Sequence, residues 1–205
     1  LHQVEREYTD AIIALIAAVE ARDPYTHGHS ANVARISEQI GRQLGLRGEA
    51  LETLHLSALL HDIGKIGIAD SVLLKPGNLT AAEFAAISEH PVRGEEIVGK
   101  IGSLRPCLPG IRSHHERMDG SGYPDGLLGE QIPLFARIIA VADSYDAMTS
   151  QRPYRGPMSA AQALAIIQRE AGSKLDPHVV AALIEVMRPA ADASSATEHS
   201  VLAAD

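Results

Sequence analysis

The sequence predicts an all-α fold, and three observations carry that expectation. Apolar residues recur at three- and four-residue spacing through most of the chain. No stretch sustains two-residue alternation, and no hairpin turn stands between β-branched runs. The composition is 45% hydrophobic but only 3% aromatic, with no Trp, so a core must be built from Ala, Leu, Ile and Val.

Taken in order, residues 4–21 carry Ile12, Ile13, Ile16, Ala17 and Val19 at spacings that fit a helix starting before residue 8. "SANVARISEQIGRQLGL" repeats apolar residues at Val33, Ile36, Ile40 and Leu44, and Gly45 is its expected stop. "GEALETLHLSALLHDIGK" predicts a further helix, ending around Gly64 and Gly67. "LTAAEFAAISEHP" opens with Thr80 and Glu83 at the spacing of a capping box, and Ser159 with Gln162 repeats it before "AAQALAIIQREAG". "PLFARIIAVADSYDAMTS" has the apolar centre of a buried strand, but its length and Ala content favour a buried helix. The small, polar residues 189–205 predict a disordered tail. With no internal repeat and no linker, residues 20–188 read as one domain. The chain begins at Leu1 rather than Met, so we expect a piece of a longer polypeptide, processing being the alternative. Residues 1–19 would then continue a helix from an upstream sensor or receiver segment, and through it favour a homodimer.

Composition also excludes some functions. A net charge of −8 over 205 residues argues against binding a nucleic-acid polymer, which needs a broad basic surface. A small anionic ligand held by a few local cations stays open. The lone Cys107 gives no disulfide framework, which suits a reducing cytoplasm. The most apolar amino-terminal run, "AIIALIAAV", is nine residues, against the ~20 a membrane span needs. It also lacks the layout of a signal peptide.

The chemistry lies in the histidines. His61 and Asp62 close an apolar helix, and Lys65, four residues on, is expected on the same helical face as His61. An isolated His-Asp pair is ordinarily an interior histidine satisfied by its neighbour. Here it has company, because His29, His90, His114, His115 and Asp143 each lie beside or within an apolar helical segment. Imidazole plus carboxylate suits divalent iron, manganese or zinc. Five histidines and two aspartates exceed one tetrahedral site and match a binuclear one with a bridging carboxylate. Two such ions ~4 Å apart activate water and clamp phosphoryl oxygens.

"HDIGKIG" followed by "HHERMDGSGYP" resembles the HD-GYP family, bacterial cyclic di-GMP phosphodiesterases within the HD superfamily. "RDPYTHGHSANVARIS", "LLKPGNLT", "HPVRGEEI", "PLFARIIAVADSYDAMTSQRPYR" and "LDPHVV" also read as family segments in family order, over about residues 20–180. The resemblance implies a helical bundle with a buried metal centre. It implies that His29, His61, Asp62 and Asp143 hold one ion, with Asp62 bridging, and that His90, His114 and His115 hold the second. Lys65 is similar to the family lysine that meets the scissile phosphate or assists the attacking water. Arg152 and Arg155 resemble the basic pair that holds ligand phosphates, a role suited to guanidinium. Two divalent ions are expected, iron or manganese first, with zinc, nickel or magnesium also in range. A third is disfavoured, because Tyr25 stands where some members carry a metal-binding Glu, although Asp146 could supply one oxygen.

The implied reaction is hydrolysis of cyclic di-GMP to pGpG, with GMP as a further product left open. Two rivals remain: a low-turnover cyclic di-GMP receptor, and an HD-type hydrolase of another cyclic dinucleotide such as cyclic GMP-AMP. Tyr123, beside the histidine pair, is expected to recognise substrate, and the Gly-Tyr-Pro loop is linked in the family to diguanylate cyclase (GGDEF) partners. Tyr145 is expected in the core, and Tyr154 in core or pocket alike. Asp119 would bond a ligand histidine or form an Asx-turn. Glu116 is expected to support a ligand or sit at the surface. Gly120, Gly122 and Gly126 are expected to supply turns with φ > 0.

Overall fold

In the computed structural model, the described residues are 14, 16, 17, 19, 20, 22, 28–151 and 156–188. Residues 14, 16, 17, 19 and 20 are helical. They belong to an amino-terminal helix whose Ile16 and Val19 are buried. The expected disordered tail, Tyr25, Arg152, Tyr154 and Arg155 lie outside the described residues.

Helix α1 (His29–Gln43) buries Val33, Ile36 and Ile40, the stripe its spacing predicts. The chain leaves it through Gly45 at φ 90, a left-handed turn that glycine adopts without a Cβ penalty. Helix α2 (Gly48–Leu60) ends earlier than expected. His61 is its C-cap, and a 3₁₀ turn over Ile63–Gly67 follows. Helices α3 (Asp70–Leu73), α4 (Ala81–Ile87) and α5 (His90–Val98) come next. Then follow a 3₁₀ segment (Gly102–Cys107) and α6 (Leu108–Ser113). The ambiguous apolar run is helix α7 (Leu134–Thr149), and α8 (Ala160–Glu170) and α9 (Pro177–Met187) complete the fold. Both expected capping boxes form, Thr80 with Glu83 and Ser159 with Gln162. The described residues hold no strand, only isolated bridges such as Asp119 with Leu128.

Helix α1 packs on α2, α7 and α9, and the cluster they share is aliphatic: Ile36, Ile40, Leu54, Ile138, Ile139 and Leu183. Tyr145 joins it, as expected. A second cluster, with Ile16, Val19, Leu60, Ile63 and Ile111, lies under the turn that follows α2. Helix α5 packs against that turn. The contact is close, because a Cβ on Gly64 would overlap the His90 carbonyl oxygen and crowd the Gly94 nitrogen. The candidate histidines sit mostly at helix ends. His29 opens α1, His61 closes α2, His90 opens α5, and His114 and His115 follow α6. Asp143 is the exception, projecting from the middle of α7.

Candidate metal centre

The seven residues converge. Single donor atoms from His29, His61 and Asp143 lie within 4.8 Å of one another, and so do those from Asp62, His90, His114 and His115. Asp62 faces both groups. Its Oδ1 is 3.2 Å from His90 Nε2 and 4.0 Å from His114 Nε2, while its Oδ2 is 3.5 Å from His61 Nε2. His61, His90 and His114 are at most 2% exposed, whereas His115, Lys65 and Asp143 are half-buried.

Which nitrogen each ring turns inward follows from its anchor. His61 Nδ1 is 2.7 Å from the Ala58 carbonyl, His90 Nδ1 2.8 Å from that of Ile87, and His114 Nδ1 2.7 Å from that of Ile111. A carbonyl only accepts, so each Nδ1 carries the proton and each Nε2 offers a lone pair to the centre. The acceptor sits three residues earlier each time, so a helix end orients the ring it presents. His29 Nδ1 is instead anchored on Asp146 Oδ2 at 2.6 Å, while its Nε2 lies 3.3 Å from Asp143 Oδ1. Such outer partners fix the ring and raise its basicity as a ligand.

This donor set fits a cation. His90 Nε2 and His114 Nε2, both lone-pair bearing, are 3.2 Å apart and cannot hydrogen-bond each other. Bare, they repel, and a positive ion between them and Asp62 removes the conflict. Titration behaviour agrees. Burial holds His61 and His114 below their ordinary pKa, and it brings His115 down to about 3, so these rings stay neutral donors. Burial acts to raise Asp62, but Lys65, His61 and His90 hold it well below the carboxylate range. Burial also opposes ionisation of Asp143, and the His29 hydrogen bond overcomes it. For His29 burial acts downward, but hydrogen bonds to Asp143 and Asp146 push it up to about 10.

Lys65 departs from the expected geometry. Because the α-helix gives way to a 3₁₀ turn at His61, Lys65 does not share a helical face with it; its Nζ is 2.5 Å from Asp62 Oδ2. Tyr123 stacks on His115, with centroids 4.8 Å apart at 29°, and meets Phe84 edge-on at 6.0 Å. Burial pushes its phenol up to about 12, so it stays protonated at neutral pH. Asp119 forms the Asx-turn, accepting from the amide and hydroxyl of Ser121. Glu116 is no surface charge: at 2% exposed, it accepts from the amides of Asp125 and Leu127 and shapes the glycine-rich loop. Gly120 and Gly126 have φ of 78 and 64, but Gly122 does not share that conformation. It is glycine because a Cβ there would overlap the backbone of Glu116 and Arg117. Asp146 accepts from Ser150 as well as anchoring His29, a use that the sequence reading missed.

Comparison with known proteins agrees with this architecture. A family model described as the HD domain matches residues 14–179. The chain is 38% identical over 194 residues to 3'3'-cGAMP-specific phosphodiesterase 3 of Vibrio cholerae, covering 94% of this chain and 42% of that protein. It is 41% identical over 191 residues to a cyclic di-GMP phosphodiesterase response regulator of Xanthomonas campestris, covering 90% and 49%. Among solved structures, Bd1817, an HDG"Y"P protein from Bdellovibrio bacteriovorus, superposes with a TM-score of 0.63 at 22% identity, covering 78% of this chain and 52% of that one, a likeness of fold. The chain spans about half the length of the curated relatives it matches. The fold and buried His/Asp centre define a helical domain able to bind metal. The chain belongs to the HD domain family, and its resemblance to the HD-GYP group within it is borne out.

Proposed function

We propose that this chain is a metal-dependent phosphodiesterase domain that opens a 3′–5′ phosphodiester of a cyclic dinucleotide, with cyclic di-GMP yielding pGpG. The observation that carries the reading is the double orientation of Asp62, one oxygen toward each histidine group. His29, His61 and Asp143 would hold one divalent ion, and His90, His114 and His115 the other, with Asp62 between them. Iron or manganese suits this oxygen-containing, histidine-rich set. Bound there, the ions would supply an activated water and neutralise charge on the phosphoryl oxygens.

The chain's own residues do the rest. Lys65 stands on Asp62 and is half-buried, and its ammonium can meet a phosphate oxygen. Tyr123, neutral and stacked on His115, offers a face and a hydroxyl for substrate recognition. Arg152 and Arg155 are proposed phosphate contacts on their sequence position after α7. A cytoplasmic setting follows from the substrate, and among the described residues no helix is long and apolar enough to cross a membrane. Dimerisation through the amino-terminal helix is a further proposal on that helix continuing from an upstream segment, and a GGDEF contact through the Gly-Tyr-Pro loop is one on the family resemblance.

A second reading, hydrolysis of 3'3'-cGAMP, is favoured by the Vibrio relative named for that substrate. Product release from both dinucleotides, measured anaerobically with added Mn²⁺ or Fe²⁺, separates the two and also detects a receptor that binds without turnover. We expect release of pGpG by the native chain. Asp62→Ala should lose activity at least ~100-fold while keeping its helical circular dichroism. Substantial turnover by that variant with no bound metal would overturn the mechanism.

A further inference from the structure

Two side chains that precede the metal centre in sequence, Glu20 and Arg22, hold segments that flank its donors. Glu20 lies on the amino-terminal helix. Its Oε2 accepts from the amide of Gly28 at 3.0 Å and its Oε1 from that of Ser30 at 3.1 Å. These amides flank His29 at the start of α1, whose own N-cap residue, Gly28, supplies no side-chain cap. A carboxylate from another helix therefore satisfies the exposed amides and complements the helix dipole.

Arg22 secures the other segment. Its guanidinium donates to the Ile66 carbonyl at 2.6 Å, the Ile68 carbonyl at 3.1 Å and Asp70 at 2.6 Å. These acceptors immediately follow Lys65. Ile16 and Val19 pack in the same cluster as Leu60 and Ile63, which bracket His61 and Asp62. Glu20, Ser30, Asp62 and Lys65 also line one cavity of about 10 Å³ at this junction.

We propose that Glu20 and Arg22 are positioning residues that set the distance between His29 and the His61–Asp62 turn. The proposal rests on the metal-centre reading above. Constellations of this kind need their members held within ~0.5 Å. His29 and His61 come from different helices, yet contacts two residues apart on one stretch of chain anchor the start of α1 and the segment that follows Lys65. A shift of the amino-terminal helix would move both contacts together, and so would reach the metal donors through the segments beside them.

The test is calorimetric titration of Mn²⁺ into the chelator-stripped full chain, with melting temperatures measured alongside. Glu20→Ala should weaken Mn²⁺ binding about tenfold or more. Glu20→Gln, which keeps one acceptor oxygen, should give a smaller loss and serves if the alanine variant fails to fold. Asp176→Ala is the stability control: Asp176 caps α9 and pairs with Arg137, so its loss lowers melting temperature without removing a Glu20 or Arg22 contact. We expect it to leave Mn²⁺ affinity unchanged. Native affinity in both Glu20 variants, or an equal loss in Asp176→Ala, overturns the positioning role. A native chain that binds no Mn²⁺ overturns instead the metal-centre reading beneath it.

Discussion

At the residue scale, ring orientation makes the centre. Three histidines spend Nδ1–H on a carbonyl three residues back and one spends it on Asp146, so four Nε2 atoms turn inward. Asp146→Ala should release the His29 ring and cost about 10- to 100-fold in metal affinity, read by Mn²⁺ titration. Unchanged affinity would show that the ring is held by packing alone. The buried rings also predict an acid limit for the metal-free chain. His115 falls to about 3 in the folded chain from 6.5, and His61 and His114 shift the same way. The unfolded chain therefore takes up protons below pH 6.5 that the folded chain refuses. Stability is present above 6.5 and is lost as pH falls toward about 3. His29, raised to about 10, acts oppositely: its contribution is complete below 6.5 and is lost as pH rises toward 10. Chelator-treated protein should thus melt at progressively lower temperature as pH falls from 6.5 toward about 3. A melting temperature that stays flat or rises there would contradict this.

At the element scale, the decisive contact is between the turn after α2 and helix α5. Gly64 lets that turn approach α5 so closely that Asp62 Oδ1 reaches His90 Nε2. Gly64→Ala meets backbone atoms rather than yielding side chains, so the turn itself must move away. We expect a stability loss of about 1–3 kcal/mol, the usual range for overpacking, with a larger proportional loss of bound metal. Thermal melts and elemental analysis of one preparation read both, and an Ala variant with native metal content would refute the account of this contact. The glycine-rich loop is tied down separately. Arg112 donates to both oxygens of Asp125 and to Glu95, linking the loop to α6 and α5. These groups are about one-third exposed, so Arg112→Ala should cost only about 1 kcal/mol. It should nonetheless speed amide exchange across residues 119–128, and unchanged exchange would mean that Glu116 holds the loop unaided.

At the scale of the whole molecule, much of the fold was readable because it rests on local rules. The α1 stripe, the Gly45 stop and the Thr80 and Ser159 capping boxes are all written within a few residues. That seven His and Asp side chains would converge was legible from residue type and helical setting, and their roles came from the family resemblance. What stayed hidden depends on events between elements. The α-to-3₁₀ change at His61 moved Lys65 off the expected face and onto Asp62, because a periodicity reading assumes that the helix continues. Asp146 was read as a spare ligand, yet the distance that makes it an anchor for His29 spans 117 residues. Gly122 was assigned a left-handed turn, whereas its requirement is the nearness of residues 116 and 117, which no spacing reveals.

In the proposed function, two histidine groups share Asp62 to form one binuclear centre. The measurement that tests it most directly is the metal content per chain of protein purified without chelator, for the native sequence and Asp62→Ala. Two divalent ions per native chain are expected, one for each histidine group, with loss of bound metal in the variant. A native chain with no bound ion, or an Asp62→Ala chain that retains both, would contradict it.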